Sequence, residues 1–184
     1  SIQGNKSENL EEAIRYCLAA LEVGTREAFP INWADTQVSL GNAYSSRIQG
    51  EESDNLERAI SCYIAALEVR TRDAFPIDWA MLQNNLGNVY SDRIQGEKSD
   101  NLKEAISYYE AALEVRTREA LPEEWADTQS NLGVVYSERI RGERAENLEQ
   151  AIQYYQNALQ LYSREAFPSN WANIQDGLGI VYFY

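Results

Sequence analysis

The chain has 184 residues, 44% of them apolar, and a formal charge of −13 with no histidine. That charge argues against a nucleic-acid backbone as partner, because phosphates would be repelled, and the lack of imidazole excludes metal sites and general bases built on histidine. Cys17 and Cys62 make no disulfide framework and read as free thiols in helices. With no apolar run long enough to span a membrane and no secretory leader ahead of the first helix, a reducing cytoplasm is the expected compartment.

The four tryptophans set the organisation. The step from Trp33 to Trp79 is 46 residues, and it recurs to Trp125 and to Trp171. Asn9-Leu10, Asn55-Leu56, Asn101-Leu102 and Asn147-Leu148 keep the same step, as do Pro30, Pro76, Pro122 and Pro168. Periods of roughly 20–50 residues mark solenoids or propellers.

Taken in order, Ser1 to Gly4 match Arg47-Ile48-Gln49-Gly50 and read as the tail of a preceding element. From Asn9 to about Ala28, the apolar residues Leu10, Ala13, Ile14, Cys17, Ala20 and Leu21 fall at steps of three and four, which predicts a helix. Glu8 with Glu11, like Asp54 with Glu57, resembles an acidic cap. The helix is expected to stop before Phe29-Pro30, since a residue ahead of proline avoids helical geometry. A second helix is predicted from about Asn32 to Ile48, with Trp33, Leu40, Tyr44 and Ile48 on its apolar face.

Gly41, Gly87, Gly133 and Gly179 fall inside helices of this second type. Glycine there costs about 1 kcal/mol relative to alanine, so four equivalents point to a close helix–helix crossing. Gly50, Gly96 and Gly142 stand where a left-handed helix stop belongs. The whole chain, 1–184, thus reads as one all-α array of eight helices, in pairs over about 9–48, 55–94, 101–140 and 147–184. No segment shows the period-two pattern of a strand. Each pair has too little apolar surface to fold alone, so neighbours must stack.

The pattern Ala80-x-x-Gln83-x-x-Leu86-Gly87-x-x-Tyr90, followed by Ala105-x-x-x-Tyr109-x-x-Ala112, resembles the tetratricopeptide repeat. That resemblance recurs through the chain and implies an α-solenoid of antiparallel helix pairs with a right-handed superhelical sweep. Two departures stand out. The family period is about 34 residues, so extra residues must be placed between Tyr44 and Ala59 and between Ala59 and Ala80. Gln37, Gln83, Gln129 and Gln175 also replace the large residue at the head of the pattern, with tryptophan four residues upstream. Repeats carrying Phe-Pro-x-x-Trp-Ala and Asn-Leu-Glu-x-Ala-Ile look like the arrays of cyanobacterial multidomain proteins that also bear caspase-like or NTPase modules. On that resemblance the array is a sensing or docking part, with catalysis in other segments.

In the family the first helix of each pair lines a concave groove. By resemblance that face carries Asp35, Val38, Asn42 and Ser45, then Met81, Asn84, Asn88 and Ser91, then Asp127, Ser130, Val134 and Ser137. The last helix contributes Asn173, Asp176, Ile180 and Phe183. Many peptide-binding members pair an asparagine here with one on the adjacent repeat to hold a peptide main chain. Asn42 with Asn85, and Asn88 with Asn131, stand at those positions. An amide suits the task because it both donates and accepts. The alternative is that these asparagines bond only to neighbouring helices or water. Members that capture a C-terminal carboxylate place lysine four residues before the asparagine, where this chain has Val38 and Asn84, so an acidic tail is not the expected ligand. Asp35, Asp92, Asp127 and Glu138 favour a neutral or basic one.

No phosphate loop or dinucleotide fingerprint is present, and neither a cofactor nor catalysis is expected. Arg26, Arg72, Arg118 and Arg164 are expected to close one helix type at its negative end, and Arg47, Arg93 and Arg139 the other. Tyr63, Tyr109 and Tyr155 are candidate core residues, while Tyr16, Tyr108 and Tyr154 are placed on the outer face. Gly179 to Tyr184 followed by Ser1 to Gly4 matches Gly87 to Gly96 without a gap. A fragment of a longer array would explain this. So would head-to-tail stacking of Tyr182, Phe183 and Tyr184 on Leu10 and Ile14 of a second molecule. The expected function is therefore a protein–protein interaction scaffold with a peptide in its groove; the alternative is a structural element that assembles through its ends.

Overall fold

Proline sets the phase of the repeat. Its nitrogen has no proton to leave unpaired in a first turn, and its fixed φ suits a helix start. In the computed structural model, which describes residues 5–139 and 141–183, Pro30, Pro76, Pro122 and Pro168 are the first residues of α2 (Pro30–Ser45), α4 (Pro76–Asp92), α6 (Pro122–Glu138) and α8 (Pro168–Phe183). The preceding Phe29, Phe75 and Leu121 are pushed out of helical geometry, with φ of −141°, −139° and −141°. Their carbonyls still accept the N–H of Trp33, Trp79 and Trp125 at 2.8 Å, the first bond of each helix. Between these lie α1 (Lys6–Val23), α3 (Glu52–Leu67), α5 (Lys98–Leu113) and α7 (Arg144–Ala158). The fold is all-α, with no strand among the described residues.

The boundaries differ from the expectation in three ways. First, α1 ends at Val23, well before Ala28. Hydroxyls intervene: Thr25, Thr71, Thr117 and Ser163 accept the N–H of Ala28, Ala74, Ala120 and Ala166 at 3.1–3.4 Å and close a separate turn ahead of each proline. Second, the acidic residues read as caps lie inside the first turn, where they favour the positive helix end. Third, Gly50, Gly96 and Gly142 are left-handed, with φ of 80°, 82° and 87°, but they sit past the loop beside the next helix rather than at a helix stop.

That loop is held by a buried asparagine. Asn55 Nδ2 donates to the Gln49 carbonyl at 2.9 Å, and Asn147 Nδ2 to the Arg141 carbonyl at 2.9 Å. Asn55 and Asn147 therefore turn the chain into the next helix.

The chain divides into two compact units, Ser1–Gly96 and Glu97–Tyr184. In the first, α1, α2, α3 and α4 pack consecutively, with Ala34, Ala59 and Ala66 fully buried between larger side chains. The Tyr63 ring lies so close to Gly41 that a Cβ there would come within 2.7 Å of it. In the second, α5 to α8 pack consecutively, and α8 also touches α6. Tyr155 fills the core beside Gly133 as Tyr63 does beside Gly41. The close approach inferred from the glycines is thus to a tyrosine ring. At Gly179 no such ring approaches.

The arginines hold the turns. Arg26, Arg72, Arg118 and Arg164 lie beyond the helix ends, and their guanidinium groups sit 5.5–5.9 Å from the ring centres of Trp33, Trp79, Trp125 and Trp171. Arg47 and Arg93 reach back to Glu11 and Glu57 with two nitrogens each, at 2.6–3.1 Å. In the third pair Lys103 replaces that glutamate, and Arg139 bonds Asn147 Oδ1 at 3.5 Å.

Of the residues assigned to end-to-end stacking, Ile14 is buried on α2's side and Leu10 is half-buried, so Ile14 has no surface to offer. Tyr182 and Phe183 are 70% and 85% exposed. Tyr184 and the Ser1–Gly4 tail lie outside the described residues. Cys62 is buried and Cys17 half-buried, both as thiols; burial pushes Cys62 up to about 11.

Candidate peptide-binding groove

In the first unit, α2 and α4 present their amides to one open cleft of about 290 Å³, lined by Asn42, Tyr63, Asn85, Asn88 and Asp92 among others. Its centre is Asn42. The Tyr63 hydroxyl reaches Asn42 Oδ1 at 2.8 Å, and Asn85 Nδ2 reaches the same oxygen at 3.4 Å. Burial raises the Tyr63 pKa, so the phenol keeps its proton and donates. With its oxygen answered twice, Asn42 has its N–H₂ left to offer, and that nitrogen has no partner among the described residues.

The other expected residues divide. Asn88 is exposed on α4, whereas Asn84, one turn earlier, is 7% exposed and faces inward. Asn131 and Ser130 are half-buried on α6 in the second unit. Asp35 forms an ion pair with Arg70, which also meets Asp78 at 3.0 Å. Asp127 lies 2.5 Å from the Tyr162 hydroxyl, whose pKa is raised by burial and then by that carboxylate. Both aspartates thus already have partners within the fold, an arginine shared with Asp78 for Asp35 and a neutral phenol for Asp127.

Arg70 and Tyr162 were not singled out in the sequence, nor was Arg116, which is 7% exposed and donates to Thr128 Oγ1 at 3.1 Å. The three share one place in the 46-residue register, which Gly24 fills in the first repeat. Arginine recurring at one register position, in the second and third repeats, is the signal that could have found Arg70 and Arg116; nothing comparable marks Tyr162. The glutamine at the head of the pattern is also a packing residue: Gln129 Oε1 accepts from Asn157 Nδ2 at 2.9 Å.

Among the described residues, no group of three or more cysteine, aspartate or glutamate side chains is placed to hold a metal ion. No helix among the described residues is long and apolar enough to cross a membrane. Eight helices of fixed period, with consecutive helices packed together within each unit, make an all-helical repeat of the solenoid class. Residues 125–165 match the family model of the tetratricopeptide repeat, and the eight repeated helices support a repeat of that type. That family supports a general scaffold role with protein partners, on a fold that is generally non-catalytic. No curated protein matches the chain.

Proposed function

We propose that the chain is a protein-interaction scaffold that holds the main chain of a peptide through side-chain amides, with Asn42, Asn85 and Asn88 acting in the first unit and Asn131 in the second. The supporting observation is the double hold on Asn42 Oδ1 by Tyr63 and Asn85. It orients the amide so that Nδ2 can donate to a peptide carbonyl, and orienting it beforehand lowers the entropy lost on binding. The charge of −13 favours a neutral or basic segment as the occupant. The chain itself performs no chemistry in this reading, and its setting is the cytoplasm.

Peptide-array selection followed by anisotropy titration tests it. Asn42→Ala, Asn88→Ala and Asn131→Ala are each expected to weaken the selected peptide by about tenfold, the worth of one well-placed hydrogen bond. Unchanged binding in all three would rule the groove reading out.

Self-association through the ends is a second reading, favoured by the exposure of Tyr182 and Phe183 on α8 and of Tyr16 and Val23, 62% and 78% exposed, on α1. A single monomeric species in sedimentation at rising concentration would exclude it.

A further inference from the structure

The second unit carries different chemistry at the same register positions. Two repeats on from Asn42 stands Val134, two on from Asn85 stands Gly177, and Tyr155 takes the place of Tyr63. The Tyr155 ring is wedged against both α6 and α8: a Cβ on Gly133 or on Gly177 would lie 2.6 Å from the phenol. Where Tyr63 finds an amide oxygen at 2.8 Å, the register position beside Tyr155 holds a valine, whose side chain has no oxygen to accept the phenol's proton.

Above this phenol opens a cleft of about 560 Å³. Its walls include Val134 and Ile180, which are 41% and 50% exposed. A peptide carbonyl laid against Val134 would lose water and gain no donor. An apolar side chain laid there would instead release water from two aliphatic surfaces. The charged rim is mostly satisfied. Lys98 Nζ sits 3.0 Å from Glu138, and Arg144 Nη1 donates to the Ser137 carbonyl at 2.8 Å. Asp176 is exposed, lines the cleft, and has no cation paired with it among the described residues.

We propose that this cleft takes an apolar side chain of the partner, leucine- or phenylalanine-sized, with a neighbouring lysine or arginine meeting Asp176. The inference rests on the reading that the chain binds peptides, and it adds what the second unit selects. Val134, Gly177 and Ile180 set the preference for an apolar group; Asp176 sets the preference for a cation.

The test uses the full chain, isotopically labelled for amide NMR, titrated with N-acetyl-Leu-Lys-amide, N-acetyl-Ala-Lys-amide and N-acetyl-Leu-Glu-amide. The Leu-Lys probe is expected to shift the signals of Val134, Gly177 and Ile180 first. The other two should need roughly ten times the concentration for the same shift. Val134→Asn should abolish the advantage of Leu-Lys over Ala-Lys, and Asp176→Asn its advantage over Leu-Glu. Both side chains are exposed, so the fold should survive, which circular dichroism checks. Equal response to all three probes, a stronger response to Leu-Glu, or shifts confined to other residues would overturn the proposal. If array-selected peptides depend on Asn42 while Val134→Asn and Asp176→Asn change nothing, this inference fails alone. If Leu-Lys selectivity holds while the asparagine variants bind as before, the main-chain reading fails and this one stands.

Discussion

Tyr63 on α3 donates to Asn42 on α2 across 2.8 Å, so one side chain both fills the core beneath a glycine and aims an amide at the surface. The two roles separate in Tyr63→Phe. The ring stays against Gly41 and the hydroxyl alone is lost, so stability should fall by only about 1 kcal/mol. Peptide binding should weaken, though less than in Asn42→Ala, because Asn85 still holds the amide oxygen and Nδ2 is still there to donate. Tyr155→Phe, with Val134 in place of the amide, should leave main-chain binding as it was. Denaturant midpoints and anisotropy titrations on the same samples check the pair.

Alanine at the repeat glycines should change stability with opposite signs. At Gly133 a Cβ would meet the Tyr155 ring at 2.6 Å, an overpacking that costs about 1–3 kcal/mol and exceeds the gain in helix propensity. At Gly179 a Cβ meets nothing within 4 Å, so the same change should stabilise by about 0.5–1 kcal/mol. Urea unfolding of Gly133→Ala and Gly179→Ala measures both; equal effects would refute the packing argument.

The pair Glu11–Arg47 makes stability depend on acid pH. The guanidinium holds the Glu11 carboxyl below its ordinary 4.5. A carboxyl whose folded value is depressed contributes above its unfolded value and loses that contribution as pH falls through the folded one. Unfolding free energy followed from about pH 6 down to about pH 3 should therefore drop less steeply in Glu11→Gln than in the parent.

Asn147→Ala should be costly for a residue that touches no ligand. Its Nδ2 serves the Arg141 carbonyl at 2.9 Å and the Arg139 carbonyl at 3.3 Å, and the side chain is 3% exposed. Removing it strips a partner from two carbonyls and should cost about 1–3 kcal/mol. Hydrogen exchange should show faster opening in the loop that joins α6 to α7 than in the helices beside it.

The sequence alone determined the eight helices and their phase, because apolar steps of three and four are a local property of one backbone. It also located Gly41 and Gly133, which admit a large neighbour, since a residue costly to a helix at one register position needs a reason. But it counted Gly179, which has no such neighbour, and passed over Gly177, which does. Helix ends were read less well: the hydroxyl of Thr25 could as well belong to a helix as close a turn, and the proline that seemed to end one helix begins the next.

The tertiary structure alone decided which polar groups were left to act. Asp35 and Arg70 are 35 residues apart and meet only because α2 and α3 pack, so no local pattern announces that the aspartate has a partner. Asn84 and Asn88 lie one turn apart on one helix face, yet one is buried and the other exposed. The period fixes the face; how far packing reaches along it depends on the neighbouring side chains brought there by the fold.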